Sequence, residues 1–191
     1  PVKWTDERSG SFFSDSHGRD HEVAGELALA EDGGFLAVRI TCFADMGAFL
    51  SPMGPFPGTL NIVKNVQGMY RTPLIEVSSK CVFTNTSQIG PYRGAGRPEA
   101  NYFMERMIDA AAAETGIDRL ELRRRNQVRR RDLPYETASA VTYDSGDFAA
   151  LTKEAFALAD GKGFARRKRE SLRRGKLRGV GIGNFLEVTA P

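Results

Sequence analysis

Between Pro91 and Ala100 the chain reads Pro-Tyr-Arg-Gly-Ala-Gly-Arg-Pro-Glu-Ala, and no other stretch constrains its folding as closely. Gly94 and Gly96 lack a Cβ, so the backbone can take positive φ there and let a ligand approach its amides. Pro98 suits the first turn of a helix, where its missing N–H has no intrahelical partner to lose. Behind it, Ala100, Phe103, Met104, Met107, Ile108 and Ala111 recur at three- and four-residue spacing. That stripe predicts a helix over about Pro98–Thr115, with Gly116 as its stop. Amides ahead of such a helix, at the positive end of its dipole, suit an anionic or oxygen-rich ligand. Two readings stand at this point: a ligand loop mounted on a rigid helix, and a tight connection whose glycines serve only sterics.

The flanking sequence predicts an α+β fold: a β-hairpin-rich N-terminal half, the ligand loop leading into the long helix, then a helical C-terminal half and a final strand. Alternation at His21, Val23, Gly25, Leu27 and Leu29, then at Val38, Ile40 and Cys42, makes a hairpin turned at Glu31–Gly34. Ser51–Gly58, with Pro52, Pro55 and Pro57, is expected to admit no regular element. Thr59–Met69 reads as a short helix capped by Thr59, and Leu74–Thr84 as a strand. Asp118 opens a second helix, with Glu121 completing a capping box and Ile117 against Leu122 as a hydrophobic staple. Helices are expected near Asp147–Ala159 and Phe164–Arg174, and Val180, Ile182, Phe185, Leu186 and Val188 read as a buried strand.

With 191 residues the chain fits one domain or two small ones, with a possible sub-boundary near 132–146, and both ends read as cuts inside a longer protein. No apolar run approaches the roughly 20 residues that cross a bilayer. No charged-then-apolar leader opens the chain. Cys42 and Cys81 have no metal-ligand spacing, which argues against iron–sulfur and zinc sites here and for buried, reduced thiols in the cytoplasm. Arg119, Arg123, Arg124, Arg125, Arg129, Arg130 and Arg131 form one basic cluster, and a second runs from Lys162 to Arg178. Without interleaved aromatics these suit a solvated or partner-facing surface better than nucleic acid. His17 and His21 flank Asp20 with no evident third ligand, so hydrogen-bonded histidines are favoured over a metal site. Tyr102, Glu105 and Arg106 fall on the polar side of the long helix and are expected at the surface or a domain contact.

The loop Tyr92-Arg93-Gly94-Ala95-Gly96-Arg97-Pro98-Glu99-Ala100, followed by Glu121-Leu122-Arg123-Arg124-Arg125-Asn126, resembles the large subunit of the molybdenum hydroxylases. That family comprises xanthine dehydrogenase, aldehyde oxidase and aerobic carbon monoxide dehydrogenase. Pro1-Val2-Lys3-Trp4, His17-Gly18-Arg19-Asp20 and Thr84-Asn85-Thr86 match it in the right order. The resemblance implies a piece of a molybdopterin-binding domain in an enzyme that hydroxylates aldehydes or N-heterocycles, with water as oxygen source. It also implies molybdopterin in its cytosine dinucleotide form and a small-molecule substrate. The implied partners are the remainder of the large subunit, an iron–sulfur small subunit and an FAD medium subunit. Carried over residue by residue, it puts Tyr92, Arg93 and Gly94 beside the cofactor and Ala95 and Gly96 at the substrate pocket. The competing role for Arg93 is an ion pair with Glu99 or Asp20. Ala95 stands where several relatives carry a bulky aromatic, which implies a roomier pocket. Gly94 stands near the copper-binding cysteine of true carbon monoxide dehydrogenases, and this form of the loop resembles the carbon monoxide dehydrogenase-like group. No residue of this chain matches the family's general-base glutamate or its glycine-phenylalanine loop, expected after Pro191 and before Pro1. No catalytic residue and no direct metal ligand are therefore expected within it.

Overall fold

Strand β1 (His21–Leu29) pairs antiparallel with β2 (Phe35–Asp45), the expected hairpin, in a computed structural model that describes residues 1–187. Its inward face carries Val38, Ile40, Cys42 and Ala44, all buried, while Arg39, Thr41 and Phe43 turn outward with the strand's period of two. The third strand, β3 (Leu74–Val82), lies parallel to β2, so the chain must cross over between them. Helix α1 (Arg8–Ser14) precedes the sheet, and two short helices, α2 (Pro55–Gly58) and α3 (Leu60–Asn65), occupy that crossover.

Helix α2 corrects the expectation that Ser51–Gly58 is irregular. Pro55 sits at its first position, where the absent N–H costs no bond. Thr59 does not cap α3 with its side chain; its hydroxyl donates to Pro55 O at 2.7 Å. Cys81 also departs from expectation: β3 is an edge strand of the sheet among the described residues, and this thiol is exposed while Cys42 is buried.

The long helix α4 (Arg97–Thr115) lies on the inner face of the hairpin, with Ala100, Met104 and Ile108 at 0–1% exposure. Gly25 of β1 is where helix and strand come closest, since a Cβ there would stand 2.7 Å from Met107 Sδ. Gly116 ends the helix in the left-handed region, as expected. Helix α5 (Arg119–Asn126) begins at Asp118, whose carboxylate accepts from Leu120 N at 2.9 Å and Glu121 N at 3.0 Å. The reciprocal half of the capping box is absent. Glu121 instead accepts from Arg124 and Arg125, because two guanidiniums outcompete one backbone amide. Asn126 then ties α5 to the hairpin turn, accepting from Phe35 N at 2.8 Å and donating to Gly33 O at 2.9 Å.

A two-residue hairpin, β4 (Tyr135–Glu136) with β5 (Thr142–Tyr143), precedes α6 (Phe148–Leu158) and α7 (Phe164–Arg173). The final strand is not present among the described residues, and Val188 lies outside them. No neighbouring strand reaches the run Val180–Glu187, which is held instead by side chains of α4 and α5. Val180 and Phe185 stay 41% and 51% exposed, so the expected burial is missing too.

Candidate functional site

Three consecutive residues of the loop have positive φ: Gly94 at 89°, Ala95 at 44° and Gly96 at 92°. Ala95 N donates to Tyr92 O at 2.6 Å and Arg97 N to Gly94 O at 3.0 Å, so the loop is two tight turns feeding α4. A Cβ on Gly96 would stand 2.1 Å from Pro57 O, and one on Gly94 would stand 2.6 Å from the Pro98 ring. Both glycines thus have a steric reason within their own chain. Ala95 has none, and a non-glycine residue held there costs about 1–3 kcal/mol. Asn61 Nδ2 holds it by donating to Ala95 O at 2.6 Å.

Of the five residues expected at the site, Tyr92 and Arg93 are exposed, Gly94 and Ala95 half-buried, and Gly96 is turned into the chain against α2. Neither expected ion pair of Arg93 forms, and among the described residues its guanidinium has no carboxylate partner. Glu99 is taken by Arg19 instead, at 3.1 Å. The same guanidinium donates to Arg93 O at 2.6 Å and lies 5.0 Å over the Tyr92 ring. Arg19 therefore braces the loop at three points. Sequence reasoning gave this residue no role, although it lies in the quoted His17–Asp20 run; its partners are 73 to 80 positions away and nothing local marks them.

A second brace is Asp45, at the end of β2. It accepts from Thr84 Oγ1 at 2.8 Å, Thr86 Oγ1 at 2.9 Å and Gly47 N at 2.8 Å. Burial pushes its carboxyl up, but these hydrogen bonds outweigh burial and hold it below the usual carboxylate range. The Thr84–Thr86 segment is thereby fixed ahead of the loop.

The family described as the molybdopterin cofactor-binding domain matches residues 1–127. This chain belongs to that family. It is 33% identical to the carbon monoxide dehydrogenase large chain of Hydrogenophaga pseudoflava, over 98% of this chain and 24% of that one. It is 32% identical to the 6-hydroxypseudooxynicotine dehydrogenase complex subunit gamma of Paenarthrobacter nicotinovorans, with the same coverage. Among solved structures, quinoline 2-oxidoreductase from Pseudomonas putida 86 superposes with a TM-score of 0.82 at 28% identity, covering 90% of this chain and 22% of that one. The chain thus spans about a quarter of the length of the curated relatives it matches, 24% in both cases.

A molybdopterin cofactor is anionic and rich in oxygen and ring N–H groups, and the loop offers complementary groups. Arg93 is exposed and carries no ion pair, and the N–H groups of Gly94 and Gly96 take no part in the loop's own turns. Arg97 Nε, in the first turn of α4, is buried without an acceptor. With the positive end of α4 behind it, this donor set fits the group.

The remaining candidates lie elsewhere. His17 forms an isolated bridge with Ile89, and His21 opens β1, where burial pushes its imidazole down against the opposing pull of Glu99 and Asp20. No group of three metal-ligating side chains occurs among the described residues. No helix among them is long and apolar enough to cross a membrane. Glu105 and Arg123, both expected at the surface, are buried. Arg123 Nε donates to Glu105 at 2.8 Å and its Nη1 donates to Asp109 at 2.9 Å, while Tyr70 Oη donates to Glu105 as well. Helices α4 and α5 pack against each other there, so the one Arg123 guanidinium is shared between the buried Glu105 and the more exposed Asp109. A helical stripe drawn on α4 alone cannot reveal that partner.

Proposed function

We propose that this chain is the loop-and-helix portion of the cofactor site in a molybdenum-dependent oxidoreductase that hydroxylates aldehydes or N-heterocycles. The observation that carries this reading is a strained, triply braced loop that presents one unpaired arginine beside a helix N-terminus. When bound, the molybdenum cofactor supplies the redox centre at which a substrate C–H bond is oxidised with water as the oxygen source. Arg93 donates hydrogen bonds to anionic oxygen atoms in the site, and the Gly94 amide adds a neutral donor beside it. Tyr92, stacked under Arg19, forms one wall. Ala95 leaves the substrate side open, since it projects no more than a methyl group, while Gly96 lets the loop pack down on Pro57. The bracing by Arg19 and Asn61 lets these donors act without reorganising when the charge distribution changes.

The cofactor takes the cytosine dinucleotide form, the rest of the large subunit completes the site, and electrons leave through an iron–sulfur small subunit and an FAD medium subunit in the cytoplasm. Two relatives are named as a subunit gamma and a large subunit, which supports a multi-subunit enzyme. The full-length protein, assayed for molybdenum and for turnover of aldehydes and N-heterocycles, tests the proposal. Near-stoichiometric molybdenum is expected, with Arg93→Ala lowering turnover at least ~tenfold while leaving thermal stability nearly unchanged. Absence of molybdenum, or an Arg93→Ala enzyme of full activity, overturns it.

A further inference from the structure

Asn101 occupies a place that does not favour asparagine. It lies inside α4, 4% exposed, beside the core residues Ala100 and Met104. In a helix interior its side chain competes with the backbone, and once buried its amide needs partners. All of its hydrogens and its oxygen find them. Asn101 Nδ2 donates to Arg97 O at 2.8 Å and to Leu186 O at 3.1 Å, while Oδ1 accepts from Leu186 N at 3.2 Å. The two bonds to Leu186 match the exchange by which paired strand residues hold each other, although no strand lies there. Arg97 is the first residue of α4 after the ligand loop, so one carboxamide joins the loop's end to the run around Leu186. Asn184, donating to Tyr70 Oη at 2.8 Å, fixes that run from the other side.

We propose that Asn101 is a positioning residue that locks the ligand loop against the run 184–187 and so holds the loop in the pose the cofactor requires. The inference rests on the function proposed above. Only a primary amide of this length serves here. Aspartate keeps the acceptor but loses both donors and sets a charge against two carbonyls, leucine keeps the branching but is larger and loses every bond, and glutamine is one methylene too long.

The test uses the full-length enzyme with Asn101→Asp, Asn101→Leu and, as a control for stability alone, Ile108→Val in the same helix. Hydrogen exchange is followed in peptides covering 92–97 and 184–187, together with molybdenum content and the electron paramagnetic resonance spectrum of the dithionite-reduced enzyme. Both Asn101 variants are expected to speed exchange at least ~tenfold in both peptides and to alter the molybdenum spectrum, with Ile108→Val leaving both as in the wild type. Faster exchange confined to 184–187, with loop and spectrum unchanged, overturns the proposal, and so does the same spectral change in Ile108→Val. A wild-type enzyme without molybdenum counts against the proposed function instead, and the exchange arm, which needs no cofactor, still decides the coupling. If neither Asn101 variant folds, the wild type decides: a Leu186 amide that exchanges as fast as an unprotected one refutes the lock.

Discussion

The Arg19 guanidinium donates to the carbonyl oxygen of Arg93 at 2.6 Å, so one arginine holds the backbone from which the other projects. Arg19 also neutralises Glu99, whose second carboxylate oxygen is buried and has no partner of its own. The two jobs are coupled: a residue that removes the charge of a buried acid also fixes the loop that the acid's helix begins.

Arg19→Ala is accordingly expected to destabilise the protein by about 1–3 kcal/mol, because it strands a buried carboxylate. Glu99→Gln in the same background should recover most of that loss without restoring the loop. Thermal unfolding reads the first effect and molybdenum retention through gel filtration reads the second. Stability and retention recovering together in the double variant would show that the brace on Arg93 O contributes nothing.

Gly96→Ala is a sterner change than its size suggests. The new methyl would lie 2.1 Å from a backbone oxygen, at a φ of 92° that L-residues rarely adopt. Backbone cannot step aside as a flexible side chain can, so a loss above about 2 kcal/mol is expected. Gly116→Ala is the comparison, because that glycine also has positive φ but its Cβ would meet nothing within 4 Å. Chemical denaturation should show Gly96→Ala clearly the weaker of the two.

Arg123 is fully buried between Glu105 and Asp109. Arg123→Leu leaves Glu105 charged inside the fold and should cost about 3–5 kcal/mol. Replacing both Arg123 and Glu105 by leucine should cost far less, since the desolvated charges then vanish together. A double variant no more stable than Arg123→Leu alone would assign the loss to packing rather than to charge.

The stripe and stop of α4, the β1–β2 hairpin, the Asp118 cap and the loop itself are legible in sequence because each is set by residues within a turn or two of one another. What escaped has partners far away in the chain. Arg123 reads as one cation in a basic run until Glu105, 18 positions back, is seen across the helix pair. Arg19 reads as part of a short motif until Arg93 and Glu99 are folded onto it. The run from Val180 has the apolar alternation of a strand, but alternation sets only which face each side chain takes, and a strand also needs a neighbour with free backbone groups. At the loop, glycine spacing marked the place but could not separate Gly96, which is packed on Pro57, from Arg93, which is exposed.

Asp45 gives the acid limb of stability. Its folded carboxyl titrates below the ordinary value near 3.8, so the stability it adds is fully present above that value. That contribution disappears as pH falls through the folded value, when the proton displaces the Thr84, Thr86 and Gly47 bonds. Asp45→Asn should therefore lower stability at neutral pH and flatten its fall below about pH 4. Unfolding midpoints collected from pH 7 down to pH 2 check this, and parallel curves for variant and wild type would remove Asp45 from the account.

The final prediction concerns which substrate the loop can serve. One solved relative is a copper- and molybdenum-containing carbon monoxide dehydrogenase, sharing 28% identity with this chain. Copper in a soft-ligand site needs a thiolate, and the loop from Pro91 to Ala100 contains no cysteine. Cys42 is buried in the middle strand, where burial pushes its thiol up and so keeps it protonated. Cys81 is exposed on β3 at the edge of the sheet, so neither cysteine belongs to the loop. With only the Ala95 methyl beside Arg93, the proposed site is expected to admit a ring or an aldehyde chain. The full-length enzyme, supplied with copper, should oxidise an aldehyde or N-heterocycle and leave carbon monoxide untouched. Carbon monoxide turnover at a rate matching its best organic substrate would refute the claim. Ala95→Cys, at a position that already carries a Cβ, tests the same point from the other direction: a gain of copper binding without carbon monoxide oxidation would show that the thiolate alone does not set the substrate.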